Sequence, residues 1–501
     1  MEISTETKYR TICIVLSYLD PRRRQFLRSS SSLINRAVLE SVERMTLYQT
    51  VDDLCHLFRF CGSLHHLELA TITKRKCIQD LGLVIEAGYL SELVSLDLQY
   101  SRITDRNVSL LFEALQSGNC AKLRIIRLSN NAMGVGGSGS MAVCLSSGCL
   151  REIQHIDLQH NLIFAGGIRK ITQAFMDFHC RNIQSIDFSR CHMANPGLKY
   201  FCNVLNGSPL INLRYLRIYW NSINAGGIRH LALTISLGIL DSLELLDISR
   251  NSFGAKGMTL LTESILHGNH LPHLHVLIVH SCRLKTRGMR ALGLLIKQLK
   301  ELRVLSVGNN DIRGKGILYL FEGFRYDCFY FPNLRILDLT NNRLGLEGML
   351  YLTSMIHNNN CPQLEELSLG NNQIKDEGLL KLVYEIKYGF LPHLKTLYLS
   401  NNQLHDRSVL QLAATIADRK IAPAAELYIG CNKLSNIAIQ SLVSLLYASL
   451  QSSKTPALKS VILEKKKEKI PERLLKQALR PPYELPLEDS SDNSQYPIMP
   501  F

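Results

Sequence analysis

A pattern written L-x-x-L-x-L-x-x-N-x-L-x-x-x-G recurs along this chain at near-constant spacing. Self-similarity of that kind constrains a fold more tightly than any local propensity. Clear copies read LRILDLTNNRLGLEG from Leu334, LEELSLGNNQIKDEG from Leu364 and LELLDISRNSFGAKG from Leu243. Frames begin at Leu93, Leu123, Ile153, Ile183, Leu213, Leu243, Leu274, Leu302, Leu334, Leu364, Leu394 and Ala424. Successive starts differ by 30 residues, except for 31, 28 and 32 around Leu274 and Leu302. Weaker copies start at Leu64 and Leu458.

The letters have a physical reading, with the first leucine of each frame counted as place 1. Places 4 and 6 alternate with their neighbours, so on a strand they face one way and places 3, 5 and 7 face the other. Place 9 falls where the chain turns away. It reads Asn131, Asn161, Cys191, Asn221, Asn251, Cys282, Asn310, Asn342, Asn372, Asn402 and Asn432. A buried Asn there can hydrogen-bond the backbone of adjacent coils, and cysteine is small enough to be buried with a weak S–H donor. Six residues on, a glycine recurs, as at Gly137, Gly257 and Gly348. It suits a close backbone approach before a helix. The period then becomes helical: Leu379, Leu382, Val383 and Ile386 stand at i, i+3, i+4 and i+7. One unit of strand, turn and helix cannot bury its apolar side alone, so neighbours must stack.

These residues resemble the leucine-rich repeat superfamily in its long, ribonuclease-inhibitor-like class, over about residues 64 to 463. The resemblance implies an α/β fold: a curved solenoid, or horseshoe, with parallel strands on the concave face and helices on the convex face. It also implies use as a binding surface for proteins. The period is slightly longer than the roughly 20–29 residues usual for such repeats, which leaves the helix length open.

Composition bounds the rest. Lys and Arg number 57 against 43 Asp and Glu, a net charge of +14 that permits acidic partners. No apolar run reaches membrane-span length, and the early run Thr11 to Leu19 follows acidic residues, unlike a signal peptide. The 14 cysteines show no C-x-x-C pair. A reducing location is therefore expected, cytoplasmic or also nuclear, with no membrane contact.

Residues 1–62 lie outside the clear repeats and are expected to form a helical N-terminal cap. Repeats occupy 63–466, a capping helix 467–480 and a disordered proline-rich tail 481–501. The stretch Ile12-Cys13-Ile14-Val15-Leu16-Ser17-Tyr18-Leu19-Asp20-Pro21 reads as an apolar helix ended by the Asp-Pro break. It resembles a degenerate F-box, which implies docking on a Skp adaptor through Leu16, Tyr18, Leu19, Pro21, Phe26 and Leu27. The family's leading Leu-Pro and late Trp are absent, and the same residues also suit a plain cap.

Catalytic constellations are weak. Gly134-Val135-Gly136-Gly137-Ser138-Gly139 matches a nucleotide-binding fingerprint, but Gly137 is already demanded by the repeat. His267, His270, His273, His275 and His280 fall at unrelated places of the frame, so no metal ligand set is assigned. No nucleophilic triad, cofactor or enzyme activity is expected.

Binding is expected at places 3, 5, 7 and 8. The frame from Leu213 stands out with Tyr215, Arg217, Tyr219 and Trp220, the last being the chain's single tryptophan. Neighbouring frames add Asp157, His160, Asp187, Arg190, Asp247 and Arg250. Aromatic and arginine clusters are typical of interface hot spots. The place-5 aspartates are expected to be solvated or paired with arginines, and the mixed signs disfavour nucleic acid. The functional expectation is a non-catalytic scaffold for a protein ligand, in its sharper form a substrate receptor of a ubiquitin ligase. The alternative is a small-GTPase regulator resembling the Ran GTPase-activating protein, which shares this repeat class.

Overall fold

The computed structural model describes residues 11–14, 43–48, 58–59, 61–70, 75–207, 210–321, 331–417, 425–451 and 458–462. Sixteen strands form one sheet in which every strand pairs with its neighbour in sequence. All pairings are parallel, as between Ile336–Asp338 and Glu366–Ser368 in the register Leu337↔Leu367. Between consecutive strands from His66–Ala70 onward runs a helix, 13 among the described residues. Each helix packs against the next, so the layers are one open sheet and one row of helices. This is the curved leucine-rich-repeat solenoid that the period implied.

Why the strands are so short follows from the repeat. Most span only three residues, places 3 to 5, because place 9 already turns the chain toward the helix. Places 1, 4 and 6 form a continuous core; Leu334, Leu337 and Leu339 are buried, as are Leu379, Leu382, Val383 and Ile386 from the following helix.

The asparagine at place 9 joins coil to coil. Asn221 Nδ2 donates to the Phe188 carbonyl at 2.7 Å and to the Ile218 carbonyl at 3.1 Å. Its Oδ1 accepts the Cys191 and Met193 amides at 3.0 and 3.1 Å. Four backbone groups with no ladder partner are thereby satisfied. At the two cysteine slots the thiol takes over the donor role: Cys191 Sγ reaches the Leu158 carbonyl at 3.0 Å and Cys282 Sγ the Ile248 carbonyl at 3.5 Å. The recurrent spacing of the glycines has a steric cause. A Cβ at Gly348 would stand 2.7 Å from Leu344 Cβ, and one at Gly257 2.6 Å from Phe253 Cβ.

At the N-terminus the structure corrects the helical reading. Thr11–Ile14 is a strand paired with Arg44–Tyr48, which in turn pairs with His66–Ala70. The sheet thus reaches into the span assigned to a helical cap. Thr11, Ile12 and Ile14 are β-branched, which suits a strand, and in Arg44–Tyr48 the consecutive residues Met45, Thr46 and Leu47 are buried, as in a strand covered on both faces. The last strand, Leu458–Ile462, closes the array as the weak frame at Leu458 implied. The adaptor-contact candidates Leu16, Tyr18, Leu19, Pro21, Phe26 and Leu27, the helix 467–480 and the tail 481–501 lie outside the described residues.

Candidate protein interface on the concave face

Stacked coils convert each place of the frame into a row running along the inner face of the sheet. The place-3 row is closed. Tyr215, Leu245, Val276, Val304 and Ile336 are buried and, with Ile278 from place 5, form an apolar cluster separate from the main core. Neighbouring strands lie only about 4.8 Å apart. Concave curvature presses their inward side chains closer still, so a position that alternation would expose is shut. Tyr215 is accordingly not a free contact: its hydroxyl donates to Glu244 Oε2 at 3.1 Å, and Arg214, ion-paired with Glu244, lies over its ring.

The place-5 row holds charges. Asp97, Arg127, Asp157, Asp187, Arg217 and Asp247 succeed one another from strand to strand, with Asp97 beside Arg127, Asp187 beside Arg217, and Arg217 beside Asp247. Arg127 approaches Asp97 at 3.5 Å and Arg217 approaches Asp187 at 3.8 Å. The expectation was that these aspartates are solvated or paired with arginines; Asp187 is paired with Arg217, while Asp187, Asp247 and Asp338 are buried rather than solvated. Their carboxylates turn back on the chain: the amide two residues on donates to Asp97, Asp157, Asp187, Asp247 and Asp338 at 2.8–3.1 Å. Each therefore caps the end of its own strand. Burial pushes the Asp157 carboxyl up to about 7, helped by the neighbouring Asp187 charge, and pushes Asp247 up to about 6. Arg217 is the cation set among them, and its buried Nε has no hydrogen-bond partner among the described residues.

Place 8 lies on the lip of this face. Its backbone is left-handed in every coil from Tyr100 to Cys431, with φ between 52° and 57°. That conformation suits glycine and asparagine and costs other L-residues roughly 1–2 kcal/mol. In the C-terminal half the sequence complies with Asn309, Asn341, Asn371 and Asn401, whose side chains join in an exposed ladder that begins at Ser281. In the N-terminal half only Asn130 complies. His160, Arg190, Trp220 and Arg250 occupy the same slot. The Arg190 and Arg250 guanidinium carbons lie 4.6 and 4.7 Å from the Trp220 ring. The indole is thus sandwiched between two cations, yet remains 46% exposed. His160 Nδ1 lies 2.7 Å from Asn130 Oδ1 and extends the line. Tyr219, at place 7, is half-buried below Trp220 in the frame.

The structure therefore brings Arg190, Trp220 and Arg250 into one stack, and Asp157, Asp187, Arg217 and Asp247 into one charged floor. It withdraws Tyr215. Reading the sequence frame by frame passed over the stacked Tyr398–Tyr428 pair, with centroids 4.2 Å apart, in the C-terminal place-5 row. Aligning the frames at Leu394 and Ala424 would have shown it.

The glycine-rich fingerprint also receives a structural explanation. The Gly134 and Gly136 amides donate to the Asp105 carboxylate, and a Cβ at Gly136 would stand 2.6 Å from Asp105 Oδ2. The chain's own anion fills the position a phosphate would need. The clustered histidines face different acids: His270 meets Asp241 at 3.2 Å and His280 meets Asp338 at 3.9 Å. Among the described residues no helix is long and apolar enough to cross a membrane.

Comparison with known proteins finds the same repeat in sequence. The family model for Leucine Rich repeats (2 copies) matches residues 362–411, and that for a single Leucine Rich repeat matches residues 179–202 and 332–352. Human NACHT, LRR and PYD domains-containing protein 12 is 25% identical over 322 residues, covering 54% of this chain and 30% of that protein. Mouse ribonuclease inhibitor is 22% identical over 281 residues, covering 50% of this chain and 59% of the inhibitor. The chain thus spans less than a third of the first relative's length and somewhat over half of the second's. A solved internalin from Listeria monocytogenes covers 88% of this chain and 94% of its own, at 17% identity and a TM-score of 0.39. The chain is thus a leucine-rich-repeat solenoid, similar in sequence to ribonuclease inhibitor and to proteins that join such repeats to NACHT and PYD domains.

Proposed function

We propose that this chain is a non-catalytic scaffold that holds a protein partner against the N-terminal half of its concave face. The observation that carries this reading is the Arg190–Trp220–Arg250 stack. Large side chains stand there at a left-handed position where the C-terminal coils place asparagine. With both faces of the indole covered, the stack offers its edge and two guanidinium groups oriented in advance. Such groups suit carboxylates on an acidic protein surface. The unpaired Arg217 Nε below adds a buried donor to the same region.

The finer readings concern who docks. The F-box-like residues support a ubiquitin-ligase substrate receptor, and the shared repeat class supports a small-GTPase regulator. A cytoplasmic or nuclear location is supported by Cys191 and Cys282, whose thiols must stay reduced to donate to the backbone. Affinity capture with the full chain tests these together. Deleting residues 1–60 would strip strands from the sheet, so Leu16→Ala with Phe26→Ala is the cleaner change. Loss of a Skp adaptor and cullin in that variant alone identifies a ligase receptor; their absence from the parent chain's capture overturns it. Accelerated GTP hydrolysis by a captured GTPase identifies the regulator, and an unchanged rate overturns that reading.

A further inference from the structure

Of the cysteines whose side chains are described, nearly all are core residues. Burial pushes the thiol of Cys61 up to about 11 and those of Cys120, Cys180, Cys202 and Cys361 up to about 12. Cys149 goes the other way, down to about 6, because a hydrogen bond from Cys144 and a further one from Ser147 outweigh its burial.

The geometry behind that contrast is local. Cys144 is buried near the end of the helix Val135–Ser146. The chain then reverses at Gly148, whose φ of 76° favours glycine, and carries Cys149 back toward the helix. The two sulfurs stand 3.3 Å apart, and the Ser147 hydroxyl lies 3.1 Å from Cys149 Sγ. A disulfide needs about 2.05 Å, so an approach of about 1.3 Å closes the bond. Cys149 is only half-buried, whereas Cys144 is shielded. One thiol is therefore placed to meet a reagent and the other to resolve it.

We propose that Cys144 and Cys149 form an oxidisable dithiol, a modification site at which a hydroperoxide converts the pair to an intramolecular disulfide. The Cys149 thiolate attacks a peroxide oxygen; the O–O bond breaks, and the departing alkoxide or hydroxide takes up a proton. Cys149 is left as a sulfenic acid. Cys144 then attacks the Cys149 sulfur, losing its proton, and the S–O bond breaks with release of water. The two thiols give up two electrons, and the hydroperoxide is reduced to an alcohol, or to water, plus a second water. Thiol exchange with a dithiol reductant reverses the modification.

The sequence makes the test simple. Trypsin releases the peptide from Leu128 to Arg151, in which Cys144 and Cys149 are the two cysteines. The folded full-length chain is treated with a small excess of hydrogen peroxide, quenched with a thiol-blocking maleimide and mapped by mass spectrometry. The expected product is this peptide lighter by two hydrogens and unlabelled at both thiols, formed before exposed Cys431 is modified. In Cys144→Ser the sulfenic acid at Cys149 should persist and be trapped by dimedone; in Cys149→Ser, Cys144 should remain a free thiol. Circular dichroism on each variant confirms the fold. Both thiols remaining open to maleimide after Cys431 has been oxidised would overturn the proposal, as would oxidation of Cys144 at an undiminished rate in Cys149→Ser.

Discussion

The two halves of the concave face share one backbone and differ in how they satisfy themselves. From Ser281 to Asn401 the lip is a ladder of asparagines and a serine bonded to one another at a position whose backbone suits asparagine. From His160 to Arg250 the same position carries a histidine, two arginines and a tryptophan, above a floor of buried carboxylates. In the first, the side chains satisfy one another along the ladder. The second leaves a partly exposed indole and two guanidinium groups that a partner can use.

The scaffold itself should not distinguish the halves. Asn221→Ala and Asn372→Ala each leave buried backbone groups without partners, and each should cost about 3–5 kcal/mol by urea unfolding. A large difference between them would show that the coils are not equivalent and would break the comparison. The next largest effect separates the halves. Trp220→Asn removes the sandwiched ring but supplies the residue the left-handed backbone suits. It should weaken partner capture about tenfold, or about 1.4 kcal/mol, while leaving the thermal midpoint unchanged or higher. A parallel loss of stability and binding would make Trp220 structural.

Asp157 sharpens the account of the floor. Its folded carboxyl titrates near 7 against an ordinary 3.8, so between those values the folded state binds more protons than the unfolded one. Stability from this group is present below about pH 4 and is lost as pH rises through 7. Asp157→Asn keeps an acceptor for the Gln159 amide and should gain on the parent chain, by on the order of 1 kcal/mol, between pH 4 and 8. Comparison with the parent is needed because buried His155, lowered to about 4 by burial and then by Arg127, pulls in the opposite direction. The smallest effect belongs to the other half: Asn371→Ala on the exposed ladder should change stability by about 0.5 kcal/mol or less and leave capture intact.

Much of this was legible in the sequence because a repeat makes position informative. Leu337, Asn372 and Gly348 could be assigned to core, ladder and close approach from their place in the frame alone. What was not legible depends on neighbours 30 residues away. Alternation assigns Tyr215 to the open face, and only the spacing and curvature of adjacent strands bury it. Asp187 reads as a surface charge until its own chain is seen turning back to donate to it. Trp220 looked like a free aromatic because the arginines that cover it belong to the frames before and after. At the N-terminus, apolar Ile12 and Ile14 suit helix or strand, and pairing with Arg44–Tyr48 decides between them.

The most direct test replaces the cations of the stack and the amides of the ladder in parallel. Capture of the same partner is measured for Arg190→Ala with Arg250→Ala and for Asn341→Ala with Asn371→Ala, each variant checked for an unchanged circular dichroism spectrum. The account predicts that the arginine pair loses at least tenfold in affinity while the asparagine pair binds like the parent chain. Equal binding by both variants, or loss confined to the asparagine pair, would contradict it.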